Sequence, residues 1–109
     1  MMFPKANVRD KKLIREFSKE HDCCENCGAL GDYAALEVAH VVDKGAGGPD
    51  IRENLIKLCG PAALQMGCHG KVHMGKILEE DLFGIVAKRE RISAEECRKR
   101  VRRKMGYNI

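Results

Sequence analysis

Three of the four histidines, His40, His69 and His73, lie in the stretch from Glu37 to His73, with Cys59, Cys68 and six of the eleven glycines. An imidazole exchanges its proton near pH 6.5, so His40 is a candidate to deprotonate water at neutral pH. His69 and His73 are four residues apart. On a helix they share one face, with Cβ atoms about 5–6 Å apart, a spacing at which two imidazoles can hold one divalent ion. Asn54, between them, can fix a loop or orient the base through hydrogen bonds. A base for water and a cation for the charge on phosphate and leaving oxygen suit phosphodiester hydrolysis. Taken singly, each residue has a plainer reading: a lone histidine is most often a surface or satisfied core residue.

The elements that must position these residues are legible locally. Ala35-Leu-Glu-Val-Ala-His-Val-Val42 is apolar and β-branched and predicts a strand. Gly45-Ala-Gly-Gly48-Pro-Asp50 has the composition of a tight exposed loop. Asp50-Ile-Arg-Glu53 resembles a helix start, and Asn54-Leu-Ile-Lys-Leu58 predicts a second strand. The order is strand, glycine loop, strand, helix, with His40 at the end of the first strand and His69 and His73 on the helix.

Upstream, Cys23-Cys24-Glu-Asn-Cys27-Gly28 contains a Cys-x2-Cys turn followed by glycine, the pattern of a metal knuckle. Cys24 with Cys27 has the favoured spacing, although Cys23 with Cys27 is also open. The alternative for such cysteines is packing as small reduced hydrophobes.

In Cys24-Glu-Asn-Cys27, Leu36-Glu-Val-Ala-His40, Gly47-Gly48, Asn54-Leu55, Leu58-Cys59 and Cys68-His69, with His73 beyond, the chain resembles the HNH (His-Asn-His) endonucleases of the ββα-metal class. The resemblance covers roughly residues 23–74 and implies that His40, Asn54 and His69 are the catalytic letters of the name. It implies His40 as general base and His69 with His73 on the side of a catalytic divalent ion, Mn²⁺, Mg²⁺ or Ni²⁺. It also implies a structural zinc on Cys24, Cys27, Cys59 and Cys68, and double-stranded DNA as the partner. One such centre cuts one strand per event, so a monomer nicks, and a double-strand break needs a homodimer or two visits. Two departures stand out. Ala39 occupies the position before the first histidine, where the family usually has an Asp or His metal ligand. That leaves His69 and His73 as the only clear protein ligands unless Glu37, the first candidate, or Asp43 or Asn54 reaches in. Cys59 and Cys68 are separated by eight residues rather than two.

The expected fold class is α+β: a small zinc-stapled ββα-metal core at 23–74, an N-terminal helix within 1–22, and basic C-terminal helices within 75–109. At 109 residues the chain is expected to form one domain. With three Phe, two Tyr and no Trp for a core, a metal staple is useful. The absence of a signal peptide or membrane-length apolar run predicts a cytoplasmic protein, in which clustered cysteines bind metal rather than each other. Asn7 is the expected N-cap of a first helix ending near Glu20, with Val8, Leu13, Ile14 and Phe17 as its apolar stripe. Two more helices are expected from Ile77 to about Arg89 and from Ser93 to about Met105. The span 88–104 carries nine Lys/Arg against three Glu, an excess of six over a whole-chain net charge of +4. Arg98, Lys99, Arg102 and Arg103 are its candidate DNA-backbone contacts; a solvated face, a membrane surface or a protein partner are the alternatives. Two other functions fit the sequence: a zinc-knuckle DNA-binding module that has lost catalysis, with Ala39 as the scar, or a nuclease subunit active only within a larger phage packaging or restriction assembly.

Overall fold

The structure is a computed structural model and describes residues 8–107. Its centre is an antiparallel pair, β1 (Ala35–His40) and β2 (Leu55–Gly60), with Ala35 opposite Gly60 and His40 opposite Leu55. The apolar run of β2 is buried almost throughout: Leu55, Ile56 and Leu58 are at 0% exposure. Lys57 interrupts that run yet is also buried, its ammonium donating to the Ser18 carbonyl and its amide to Glu25. β1 is shorter than expected. Val41 and Val42 leave the ladder, although both remain in the core.

Four helices surround the pair: α1 (Lys11–Ser18), α2 (Gly67–His73), α3 (Glu79–Glu90) and α4 (Ala94–Lys104). The first begins later than the sequence suggests. Asp10 is its N-cap, with Oδ1 accepting the Leu13 amide at 3.0 Å; the expected cap, Asn7, lies outside the described residues. Val8 therefore precedes the helix, and of the expected stripe only Phe17 is fully buried. The Asp50–Glu53 segment forms a single 3₁₀ turn over Arg52–Asn54 with no side-chain cap. Asp50 is thus not a helix start, and its carboxylate is engaged elsewhere. In α4, Ser93 Oγ caps the Glu96 amide at 3.0 Å, and Cys97, Val101 and Met105 form the buried stripe. Burial raises the Cys97 thiol to about 11, in keeping with an inert core cysteine.

One member of the basic run turns inward. Arg89 donates to Glu25, to the Leu55 and Arg52 carbonyls and to Glu90, with its guanidinium 4.8 Å from the centre of the Phe17 ring. It ties α3 to β2 and α1, so it is structural rather than a free cation for DNA. The glycine loop after β1 folds back tightly. A Cβ on Gly48 would lie 1.7 Å from the Val42 carbonyl oxygen, so only glycine fits there.

Candidate active site and metal centres

The four cysteines come together from three elements: Cys24 and Cys27 from the knuckle, Cys59 from β2, and Cys68 from the first turn of α2. Their sulfurs all lie within 4.8 Å of one another. Cys27 Sγ and Cys59 Sγ are 3.7 Å apart. A tetrahedral zinc with 2.3 Å bonds requires sulfurs roughly 3.8 Å apart, so the cluster fits a structural zinc. The surrounding donors also suit thiolates: the Cys68 amide points to Cys59 Sγ at 3.3 Å, and Asn26 Nδ2 to Cys68 Sγ at 3.3 Å. Burial pushes the Cys68 thiol up to about 12. At Cys24 burial acts in the same direction, but nearby backbone N–H groups outweigh it and bring the thiol down to about 7. Crowded thiols oppose one another's ionisation, and a divalent cation at their centre removes that opposition. Cys24 rather than Cys23 belongs to the cluster, and Cys23 forms a backbone bridge to Leu30. The long spacing is absorbed by a 3₁₀ turn over Ala62–Leu64, which loops out before α2 returns Cys68 to the cluster.

His40 and His69 line one groove of about 390 Å³, with Val38, Ala39, Asp43, Lys44 and Gly45 completing its walls. His40 Nε2 lies 2.7 Å from Asp50 Oδ1, and Asp50 is only 3% exposed. Burial works against the Asp50 charge, but the Asp10 amide, His40 and Arg9 together hold its carboxyl below the ordinary carboxylate range. Because the folded value lies below the unfolded one near 3.9, these contacts stabilise the fold above about pH 4, and that contribution is lost as pH falls through the folded value.

Asn54 does not face the groove. It is fully buried, with Oδ1 accepting the Val42 amide at 2.8 Å and Nδ2 donating to the Val42 and Pro49 carbonyls at 3.0 and 3.1 Å. Those three bonds clamp both ends of the glycine loop beside His40. Any effect of Asn54 on the groove is transmitted through the backbone.

His69 and His73 share a face of α2, with their Nε2 atoms 3.2 Å apart. Two ligands at about 2.1 Å from one ion and at right angles lie about 3.0 Å apart, so the pair fits adjacent positions on a divalent ion. Glu37 sets the orientation of His69: its Oε1 lies 2.8 Å from His69 Nδ1 and also accepts the Ala62 amide at 2.9 Å. That amide bond, chiefly, and His69 hold the Glu37 carboxyl below its ordinary range, against the opposing effect of burial. An ionised Glu37 can only accept, so the His69 proton sits on Nδ1 and the lone pair on Nε2 points toward His73. The histidine and cysteine spacing does not mark Glu37 as an orienting group; the sequence offers it only as a stand-in for the ligand missing at Ala39. The one local signal was a carboxylate inside an otherwise apolar strand, which calls for a partner. Among the described residues, the four cysteines are the only cluster of three or more side chains able to hold a metal, so no third Asp, Glu or Cys joins His69 and His73.

The candidate DNA contacts lie on α4. Arg98 is exposed, while Lys99, Arg102 and Arg103 have Glu95, Glu79 and Glu96 within 3.3, 3.9 and 3.5 Å. The C-terminal end of α4 approaches the glycine loop: a Cβ on Gly47 would lie 3.8 Å from Met105 Cε.

A strand, a glycine loop, a second strand and a histidine-bearing helix, with four cysteines placed to hold a metal, have the arrangement of a ββα-metal core. Residues 24–75 match the family model described as HNH endonuclease, and the chain carries an HNH endonuclease domain over that span. No curated protein and no solved structure matches the chain. None of the helices among the described residues is long and apolar enough to cross a membrane.

Proposed function

We propose that this protein is a divalent-metal-dependent endonuclease that hydrolyses phosphodiester bonds of double-stranded DNA, nicking one strand per event. The observation that carries this reading is the shared groove: His40 and His69 both line it, with His73 completing a pair of imidazole nitrogens. His40 takes the proton of the attacking water. His69 and His73 would hold a divalent ion, which would supply positive charge to the scissile phosphate and the departing 3′-oxygen. Glu37 fixes the ring of His69, and Asn54 keeps the loop closed beside His40. The products are 5′-phosphate and 3′-hydroxyl ends.

The test is supercoiled plasmid incubated with pure protein and Mg²⁺, Mn²⁺, Ni²⁺ or Zn²⁺. Relaxed circles are expected. Linear product from the first turnover indicates paired protomers, and no cleavage with any ion, alongside retained binding, indicates a DNA-binding module or a subunit that needs its assembly.

With two imidazoles and no carboxylate, the site is expected to prefer Mn²⁺ or Ni²⁺ to Mg²⁺, which favours oxygen ligands. Ala39 lines the same groove. Ala39→Asp is expected to lower the Mn²⁺ concentration needed for half-maximal cleavage, and His69→Ala or His73→Ala to raise it or abolish cutting. Calorimetric titration of zinc-loaded protein with Mn²⁺ reads the same order without turnover. Unchanged Mn²⁺ affinity in both histidine variants removes the metal assignment.

Replacing Arg98, Arg102 and Arg103 by Gln is expected to weaken binding equally across DNA sequences. It should also flatten the plot of log K against log salt by about 0.9 per lost phosphate contact. If both affinity and slope are untouched, α4 serves another surface.

A further inference from the structure

We propose that Asp50 is a positioning residue for the His40 base, held in place by the segment Val8-Arg9-Asp10 that precedes α1 and lies outside the matched family region. The inference rests on His40 being the base and adds what orients it.

Every acceptor of the buried Asp50 carboxylate is committed. Oδ1 faces His40 Nε2 at 2.7 Å and Arg9 Nη1 at 3.3 Å, and Oδ2 accepts the Asp10 amide at 2.8 Å. The Asp50 amide donates to the Val8 carbonyl at 2.9 Å. Arg9 fastens the same loop twice more, through Nη1 to the Gly48 carbonyl at 2.6 Å and Nη2 to the Lys44 carbonyl at 3.4 Å. A pre-helix strap thus crosses the loop that follows β1 and seats the carboxylate against one side of the histidine. The Asp10 side chain is turned away, capping α1.

A carboxylate accepts and cannot donate, so the proton of a neutral His40 lies on Nε2 and its lone pair on Nδ1. The base then acts through Nδ1. When water passes its proton to that nitrogen, the positive charge forms next to Asp50. A carboxylate placed so holds the ring in one tautomer and stabilises the imidazolium that proton transfer creates. The other charged or titratable groups around the ring are those of the groove: Asp43, Lys44 and His69.

A buried ion pair with no part in catalysis would have the same geometry, so the test uses charge changes of opposite sign. Asp50→Asn puts an NH₂ against either the Asp10 amide or His40 Nε2–H, and in either placement removes the counter-charge of the imidazolium. Cleavage is expected to fall about 10–100-fold in kcat with little change in KM. The acidic limb of the pH–rate profile is expected to move down by about one pH unit, because the imidazolium loses its counter-charge. Arg9→Gln removes the cation from the far side of Asp50, and the limb is expected to move the other way, by less because Arg9 is partly exposed. The double variant His40→Ala/Asp50→Asn is expected to cut no more slowly than His40→Ala alone. Thermal midpoint and zinc content are measured for each variant, and if Asp50→Asn does not fold, the sign of the Arg9→Gln shift decides. The proposal is overturned if Asp50→Asn cuts within twofold of the parent with an unmoved limb. It is equally overturned if both variants shift the limb in the same direction, or if the losses multiply in the double variant. Full activity in His40→Ala is a different result: it removes the base itself, and Asp50's role with it.

Discussion

Chelating one tightly held zinc ion per chain is expected to unfold this protein cooperatively. The four sulfurs bring the knuckle, β2 and α2 to one point. Cys24 and Cys27 belong to the knuckle, Cys59 lies in β2 just before its last residue, Gly60, and Cys68 sits in the first turn of α2, a helix of seven residues. A helix that short does not hold its shape without tertiary support. Structural zinc contributes on the order of 10–16 kcal/mol of apparent binding free energy in small peptides, comparable with the whole stability of a domain. Cys24→Ser and Cys59→Ser are therefore expected to yield little soluble protein. Cys97→Ser, which leaves the cluster intact and keeps a donor for the Glu53 carbonyl, is expected to cost only about 1 kcal/mol. Metal analysis with circular dichroism checks the set. A chain that is folded, stable and zinc-free would remove the site.

The parts of this architecture that local chemistry encodes are visible in the sequence. Apolar β-branched runs on either side of a glycine loop specify the strand pair, and the Cys-x2-Cys turn specifies where a metal begins. The parts that escaped depend on partners far along the chain. The start of α1 is one case. Asn7 and Asp10 are both competent caps, and Asp10 is placed as the cap in a segment whose own amide bonds to Asp50, 40 residues away in sequence. Asp50 is another: next to Ile51-Arg52-Glu53 it reads as a helix start, whereas its burial commits its carboxylate to His40. Glu37, Lys57 and Arg89 belong with it. Each is a charged residue whose role is set by a long-range hydrogen bond, and periodicity carries no record of such pairings. Ala39 shows the complementary limit. Its departure from the family's usual ligand is plain in the sequence, but only the fold shows that Glu37 is already bound to His69 and the Ala62 amide, rather than standing by as a replacement.

Replacing His40 by alanine is expected to reduce cleavage by about 10²–10⁴-fold, the usual contribution of a positioned general base. The fold should tolerate the change. His40 sits at the end of β1, and its one side-chain hydrogen bond among the described residues is to Asp50, which keeps the Asp10 amide and Arg9 after the ring is gone. Zinc content, thermal midpoint and plasmid affinity are accordingly expected to stay near those of the parent. Asn54→Ala provides the contrast. It strips partners from the Val42 amide and from two carbonyls in a fully buried place, and each orphaned group costs about 1–3 kcal/mol. Its loss of activity should therefore come with a loss of stability, whereas the His40→Ala loss should come alone. Added imidazole offers a second discriminator, since a small base diffusing into the open groove is expected to restore part of the His40→Ala activity and none of the activity of Asn54→Ala. Single-turnover cleavage of plasmid under saturating Mn²⁺ measures both. If His40→Ala keeps more than a tenth of the parent rate, the water is deprotonated by another group, and Asp43 and His69, which line the same groove, are the next to replace.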